Sequence, residues 1–359
     1  MPDCALKSVA DFNKQAPQEN EFRGKRFVEL NQSALAKLTQ QNLDKQDRLR
    51  RLISLSENID QFFELIVQED ESNYQPVKPY SYPAIASKSG EKKLQAAVLQ
   101  LLNDQYKLFS EQIVPAFEKE GYAFLDHESW NPQQTAWLYE YFEEFVQPLI
   151  SPIVLDITHP FPRIHNQNLC LFIALKGENA FGKKDGLVII QIPIHLQGFI
   201  RLPKALSEKH VASFVMMEEL IKKFVYTLFE GFSIDQLYLF RVTRSLRGLA
   251  SESGEVAEEM YSELQDTRKG GAVVRLELEK QCPLEFQTLL CETFKINRNK
   301  LYLSHKLVNM KSYLKAIESL ESDRVVENSR FARWKMAISG AIRRLGRLFS
   351  RKQLKTSGG

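Results

Sequence analysis

Apolar residues recur at three-and-four spacing between positions 27 and 70, where Leu49, Leu52, Ile53, Ile59, Phe62, Phe63 and Ile66 share one face. That period predicts a single amphipathic helix. Ser56, ahead of a run of acidic and amide residues, has the character of a helix start. Residues 1–24 are polar, end in Gly24 and read as a lead-in. Residues 71–90 hold Pro76, Pro79, Pro83 and Gly90 and read as a loop. A second helix is predicted over 91–119, with Leu94, Val98, Leu101, Leu102, Leu108 and Ile113 on its apolar side. Gly121 stands where a C-terminal glycine would end it.

Beyond Gly121 the pattern changes. Asn131-Pro132 opens a helix reaching Phe145, with Pro132 suited to the first turn. Prolines 148, 152, 160 and 162 keep the following stretch extended or turning. Apolar runs at 169–175, 187–193 and 237–242, and an alternating run at 272–278, predict strands. Helices are expected over 216–229, ended by Gly231, and over 254–267, 283–294 and 309–320. The fold class is therefore α+β. A helical N-terminal domain occupies 1–121, an α+β middle domain with a mainly antiparallel sheet occupies 122–322, and a tail occupies 323–359.

Composition adds little to that picture. At 43% hydrophobic and 26% charged residues, the chain is an ordinary globular one with ample core material. Its cysteines, Cys4, Cys170, Cys282 and Cys291, show no metal-binding or framework spacing. They suit a reducing cytoplasm. The polar N-terminus lacks a signal-peptide pattern, and no run of about 18 apolar residues predicts a membrane span.

Charge changes it more. From Arg330 to Lys355 there are nine basic residues and no acidic ones, which leaves 39 basic against 45 acidic elsewhere. Arg330, Arg333, Lys335, Arg343, Arg344, Arg347, Arg351 and Lys352 lie opposite an apolar stripe containing Phe331, Trp334, Ile338, Ile342, Leu345 and Phe349. A basic amphipathic helix of this kind suits an anionic membrane surface. It suits equally a polyanion such as polyphosphate or nucleic acid, by counterion release, or packing against its own body or a partner. No feature points to a specific nucleic acid. The expected location is cytoplasmic, with the tail able to hold the chain at the inner membrane surface.

No common nucleotide-binding or hydrolase signature is present. Gly270-Gly271, after Arg268-Lys269, reads as a turn, with a phosphate-cradling loop as the alternative. His159-Pro160-Phe161-Pro162 forms a rigid corner, since two prolines fix two backbone dihedrals. His159 reads as a structural residue, because His165, six residues on, is no metal-ligand partner.

Residues 150–171, ISPIVLDITHPFPRIHNQNLCL, contain an Asp, that HPFP corner, an Asn and a strand-like run. Together with RLRRLISLSENIDQFF at 48–63, FRVTR at 240–244, AVVRLEL at 272–278 and a weaker block at 199–203, they resemble, in order, the N-terminal and middle domains of the polyphosphate kinase family. The resemblance implies that the helical domain helps hold the adenine of a nucleotide, ATP, and that Asn58 is a nucleotide contact. An amide can meet both a donor and an acceptor on a purine edge. Read from its neighbours alone, Asn58 is a helix cap or a surface amide. Departures from the family occur at Asn31-Gln32, at Gln61 and at Ser245-Leu246-Arg247-Gly248.

Nothing after Leu320 resembles the family's catalytic half, with its phosphorylated histidine, second histidine, arginines and magnesium. The chain is therefore expected to be a truncated homologue, inactive alone, with Mg reached only through a partner catalytic domain. It is expected to form a homo-oligomer, or a hetero-oligomer with a full-length relative. The alternatives are a partner-complemented ATP–polyphosphate phosphotransferase and a membrane-surface adaptor.

Overall fold

The computed structural model describes residues 20–40, 43–65, 88–155, 161–178, 184–207, 210–245 and 271–322. The expected helix at 254–267, His159 and the basic tail at 330–352 lie outside them. The chain divides into two compact units, Met1–Ser312 and Tyr313–Gly359. Within the described part of the second unit, helical residues run to Ser322, and Ser319 Oγ donates to the Ala316 carbonyl at 2.7 Å.

Helices build the first part of the larger unit: α1 (Asn20–Gln40), α2 (Lys45–Leu65) and α3 (Lys88–Leu108). The single helix expected over 27–70 is thus two. Asp44 causes the restart: its carboxylate accepts the Gln46 N–H at 3.0 Å and its carbonyl accepts the Arg48 N–H at 2.9 Å. This is the N-cap role that short acidic side chains favour. Ser56, expected near a start, lies mid-helix, and the lead-in already belongs to α1 at Gly24. Phe27 of α1 stacks on Phe62 of α2, with centroids 4.1 Å apart.

Past Leu108, α3 continues through a π turn (Phe109–Ile113) into α4 (Val114–Glu118). Pro115 has no N–H to offer the carbonyl four residues back. The wider turn, closed by the Val114 N–H onto the Phe109 carbonyl, absorbs that loss without breaking the helix. Gly121 then takes φ +85, as its terminating place requires. A Cβ there would lie 2.8 Å from Val211 Cγ2.

β1 (Tyr122–Phe124) follows, then α5 (Pro132–Tyr141), which opens with a complete capping box between Asn131 and Gln134. The remaining strands are β2 (Ile153–Leu155), β3 (Leu169–Glu178), β4 (Lys184–Gln191), β5 (Phe199–Arg201), β6 (Ala212–Met216), β7 (Phe232–Arg244), β8 (Val273–Glu279) and β9 (Leu301–Ser304). The helices among them are α6 (Met217–Phe224), α7 (Leu284–Thr293) and α8 (Met310–Ser322).

Six strands form one sheet in the order β2-β4-β3-β7-β8-β9, antiparallel except between β8 and β9. A smaller sheet runs β1-β6-β5, with β1 and β6 parallel. The α+β class with a mainly antiparallel sheet is therefore present.

Central strand β3 buries both faces. Leu171, Ile173 and Leu175 join one core with Leu138, Phe142, Leu220 and Phe224. Cys170 and Phe172 join another with Phe240, Leu276, Leu278 and Leu290. This explains its unbroken apolar run, since a strand covered on both sides has no polar face to show. Cys170, Cys282 and Cys291 are free and buried.

Phe172 is fully buried at the middle of that strand. Phe172→Ala is expected to lower the unfolding free energy by about 3–5 kcal/mol, the range for emptying such a site, as read from urea denaturation.

Candidate ligand cleft at the helix–sheet junction

One face of the sheet, where β7, β8 and β9 lie under α2, is charged rather than apolar. Strand pairing sets Arg241 beside Glu277, Thr243 beside Arg275 and Glu277 beside Tyr302. All point toward α2, which contributes Asp60, Phe63 and Glu64. The Arg275 guanidinium, with 0% of its side chain exposed, pairs with Asp60 and with Glu277 at 3.0 Å. It also lies 4.7 Å from the centre of the Phe63 ring and donates to Thr243 Oγ1 at 3.2 Å. Arg241 reaches Glu277 at 2.6 Å and Asp60 at 3.4 Å. A buried charge persists only when paired and hydrogen-bonded; this network pairs each of its charges, and of the Arg275 nitrogens Nη1 alone is left without a hydrogen-bond partner.

Burial alone would push the Asp60 carboxyl up. The Arg241 and Arg275 guanidiniums outweigh it and hold Asp60 below the usual carboxylate range. Burial would likewise pull Arg241 down, but Asp60 and Glu277 raise it.

A turn of helix further on, Glu64 is buried and accepts from Asn166 at 2.6 Å and from Gln167. Asn166 in turn accepts the Arg244 backbone N–H at 2.8 Å. Gln167 sits at φ +56, a left-handed conformation unusual for a side-chain-bearing residue, so its contact with Glu64 holds a strained turn.

Beside this network opens a cleft of about 350 Å³. Ser56, Glu57 and Asp60 of α2 line one wall, Asn103, Gln105 and Tyr106 of α3 another, and Asn166, Gln167 and Asn168 the floor. Residues 304–311 and the exposed Ile194 complete it. Its cations are already engaged: Arg241 as above, Lys306 with Glu219 at 2.9 Å and Asp126 at 3.2 Å, and Lys311 with Glu57 at 2.7 Å. With Asn166 and Gln167 engaged by Glu64, the rest of the lining is amide, hydroxyl, imidazole and apolar surface together with the Glu218 carboxyl, which suits a planar heterocycle better than a phosphate chain.

Asn58, the nucleotide contact that the resemblance implies, is half-buried in the middle of α2 and is therefore no cap. It lies between cleft-lining Glu57 and Asp60 in sequence, but its own side chain is not among those lining the cleft. The basic tail residues lie outside the described residues. Sequence reasoning did not single out Asp60, Glu64, Arg241, Arg275 or Glu277. A signal was present: an arginine or glutamate inside an otherwise apolar strand run must have a buried partner.

Asp126, His127 and Glu219 bring potential metal-ligating atoms within 4.8 Å of one another. The Lys306 ammonium already bonds both carboxylates and supplies the positive charge there. This donor set, with its histidine and built-in cation, does not fit magnesium, which prefers an all-oxygen octahedron.

The model of the polyphosphate kinase middle domain matches residues 133–316. Polyphosphate kinase of Xylella fastidiosa (strain Temecula1) is 30% identical over 84% of this chain. The chain belongs to the polyphosphate kinase family. It spans 44% of the length of that relative. The Neisseria meningitidis serogroup B enzyme is 31% identical over 82% of the chain and 43% of its own length. The crystal structure of polyphosphate kinase from Porphyromonas gingivalis shares the fold, with a TM-score of 0.62 at 19% identity over 80% of this chain and 40% of that one. Four of the five sequence blocks that resemble the family meet at this junction, through Asp60, Asn166, Arg241 and Arg275. Among the described residues, no helix is long and apolar enough to cross a membrane.

Asp60→Ala leaves Arg275 buried with half its charge partners gone. A loss of about 3–5 kcal/mol is expected, as for breaking any buried pair from one side, measured by urea unfolding against the wild-type chain.

Glu218, at the first turn of α6 and on the cleft wall, carries a second test. Burial, aided by Glu219, pushes its carboxyl up from 4.5 to about 7. Between those values the folded chain holds a proton that the unfolded chain has released. Stability therefore falls as pH rises through that window and stays lower above it. The wild-type chain is expected to lose about 3 kcal/mol between pH 5 and pH 8 through this group. Glu218→Gln should remove that part of the pH dependence in paired urea titrations.

Proposed function

We propose that this stretch of chain acts by binding and assembly within polyphosphate metabolism, and does not by itself transfer phosphoryl groups. The observation that carries the reading is the charge state of the cleft. Arg241, Lys306 and Lys311 are each tied to a carboxylate. Phosphoryl transfer depends on positioned cations around the moving phosphate and on an activated acceptor. A cleft whose cations are paired with carboxylates, and whose lining is otherwise largely amide, hydroxyl and apolar, favours holding the base of a nucleotide.

The nucleotide is ATP; the family resemblance makes Asn58 on α2 its amide contact, although the Asn58 side chain does not line the cleft, and any Mg²⁺ arrives with a catalytic domain on a partner chain. That partner is a second copy or a full-length relative. A second reading is that the same assembly restores ATP–polyphosphate phosphotransferase activity.

The test uses purified chain with Mg²⁺ and γ-labelled ATP, with and without a polyphosphate primer. Neither labelled polymer nor acid-labile phosphoprotein is expected; label in either one overturns the non-catalytic reading. ATP titration should show binding that Asn58→Ala weakens by about tenfold, the worth of one well-placed hydrogen-bonding amide. An unchanged dissociation constant removes Asn58 from the site. Label that appears only when a full-length relative is added assigns the chain to the complementing role.

A further inference from the structure

The cleft contains two buried polar side chains that the protein leaves without a partner. Gln105 of α3 is 1% exposed, and its Nε2 donates to no acceptor among the described residues. Glu218 of α6 is 5% exposed, and its carboxyl meets only its own backbone N–H. The cations that face Glu218 are engaged elsewhere: Lys306 bonds Glu219 and Asp126, and Lys222 bonds Glu279 at 2.8 Å. Buried polar groups are paired almost without exception, yet both of these stand on the lining of one cleft. Burial pushes the Glu218 carboxyl up to about 7, as it does for a carboxylate short of donors.

Each group asks something different of a ligand. Gln105 Nε2 needs an acceptor, and the Glu218 carboxylate needs a donor. Adenine offers both side by side, a ring nitrogen next to an exocyclic amine. Tyr106, next to Gln105 on α3, also lines the cleft, and its ring packs on no other ring among the described residues. A free aromatic face of that kind takes a base by stacking. A phosphate chain has no such opening. Arg241, Lys306 and Lys311 are all paired, so it could gain a cation only by breaking a salt bridge.

We infer that the cleft recognises the uncharged nucleoside part of its ligand, with Gln105 and Glu218 reading the edge of the base and the phosphates adding no affinity. This rests on the reading that the cleft holds a base, and names two side chains on its lining that would select it. Both are kept at a cost to the folded chain, since apolar side chains of similar shape would leave nothing unpaired.

The experiment titrates the full chain by calorimetry, at constant ionic strength, with adenosine, with ATP and with purine riboside, which lacks the exocyclic amine. Adenosine and ATP are expected to bind with the same dissociation constant. Purine riboside should bind about tenfold more weakly, the worth of one hydrogen bond to a charged group, and Glu218→Leu should abolish that difference. Gln105→Leu should weaken adenosine about tenfold while leaving the melting temperature equal or higher, because it removes an orphaned donor. Gln100→Leu, on the exposed side of the same helix, should change neither. ATP binding far tighter than adenosine, or wild-type adenosine affinity in the Gln105→Leu/Glu218→Leu chain, overturns the inference. ATP binding that responds to Asn58→Ala and not to that double variant overturns it alone and leaves the nucleotide reading standing. Adenosine binding that depends on Gln105 and Glu218 but not on Asn58 supports it and removes Asn58 instead. If neither ligand binds, both fall.

Discussion

The Arg275 guanidinium sits inside the sheet with none of its side chain exposed. Removing a charge from water costs several kcal/mol, which only nearby opposite charge can offset. The strands alone cannot do so, because β8 brings Glu277 beside Arg275 while β7 adds a second cation, Arg241. The missing negative charge comes from Asp60 on α2. The helix is thus held against the sheet by charge balance as well as by apolar contact. Sliding α2 by one turn would move Asp60 about 5 Å and leave the buried Arg275 and the half-buried Arg241 facing one carboxylate. Buried ionic groups of this kind contribute less to stability than to register.

That register then determines what the cleft can offer. With Asp60 and Glu277 committed to the arginines, Arg241 reaches the cleft already neutralised. Lys306 and Lys311 are neutralised independently from Asp126, Glu219 and Glu57. Glu64, one helical turn beyond Asp60, completes the arrangement by pinning Asn166 and the strained Gln167 to the floor. The Arg244 N–H bonded to Asn166 ties this floor to the end of β7. The Arg244 side chain leaves the other way, donating to the Ile164 and Gly271 carbonyls.

The sequence revealed the large elements and the sheet's mainly antiparallel character, because helical and strand periods are strong over ten or more residues. It was silent where the period is too short to register. β1 and β5 span three residues each, and β6 merges into the apolar start of α6, so 212–217 reads as one run. The break between α1 and α2 was also hidden, since Asp44 acts through two hydrogen bonds and leaves the apolar spacing unchanged. At the site, the blocks resembling the family contained the residues that converge, yet attention fell on Asn58. Periodicity rewards apolar positions, and Arg241, Arg275 and Glu277 are the charged interruptions in apolar strands. Their partner Asp60 is more than 180 residues away from Arg241 in sequence, so only the fold could show that the interruptions neutralise one another.

The same pairing of charge bears on the histidines that stand beside Lys306. A histidine that accepts a phosphoryl group needs a free ring nitrogen and uncommitted cations around the phosphate. His127 is bonded to Glu219, and the cation beside it, Lys306, is shared between two carboxylates. His305 lies on the cleft next to that same Lys306. At His127, and on the cleft beside His305, the neighbouring cation is therefore one already shared with carboxylates.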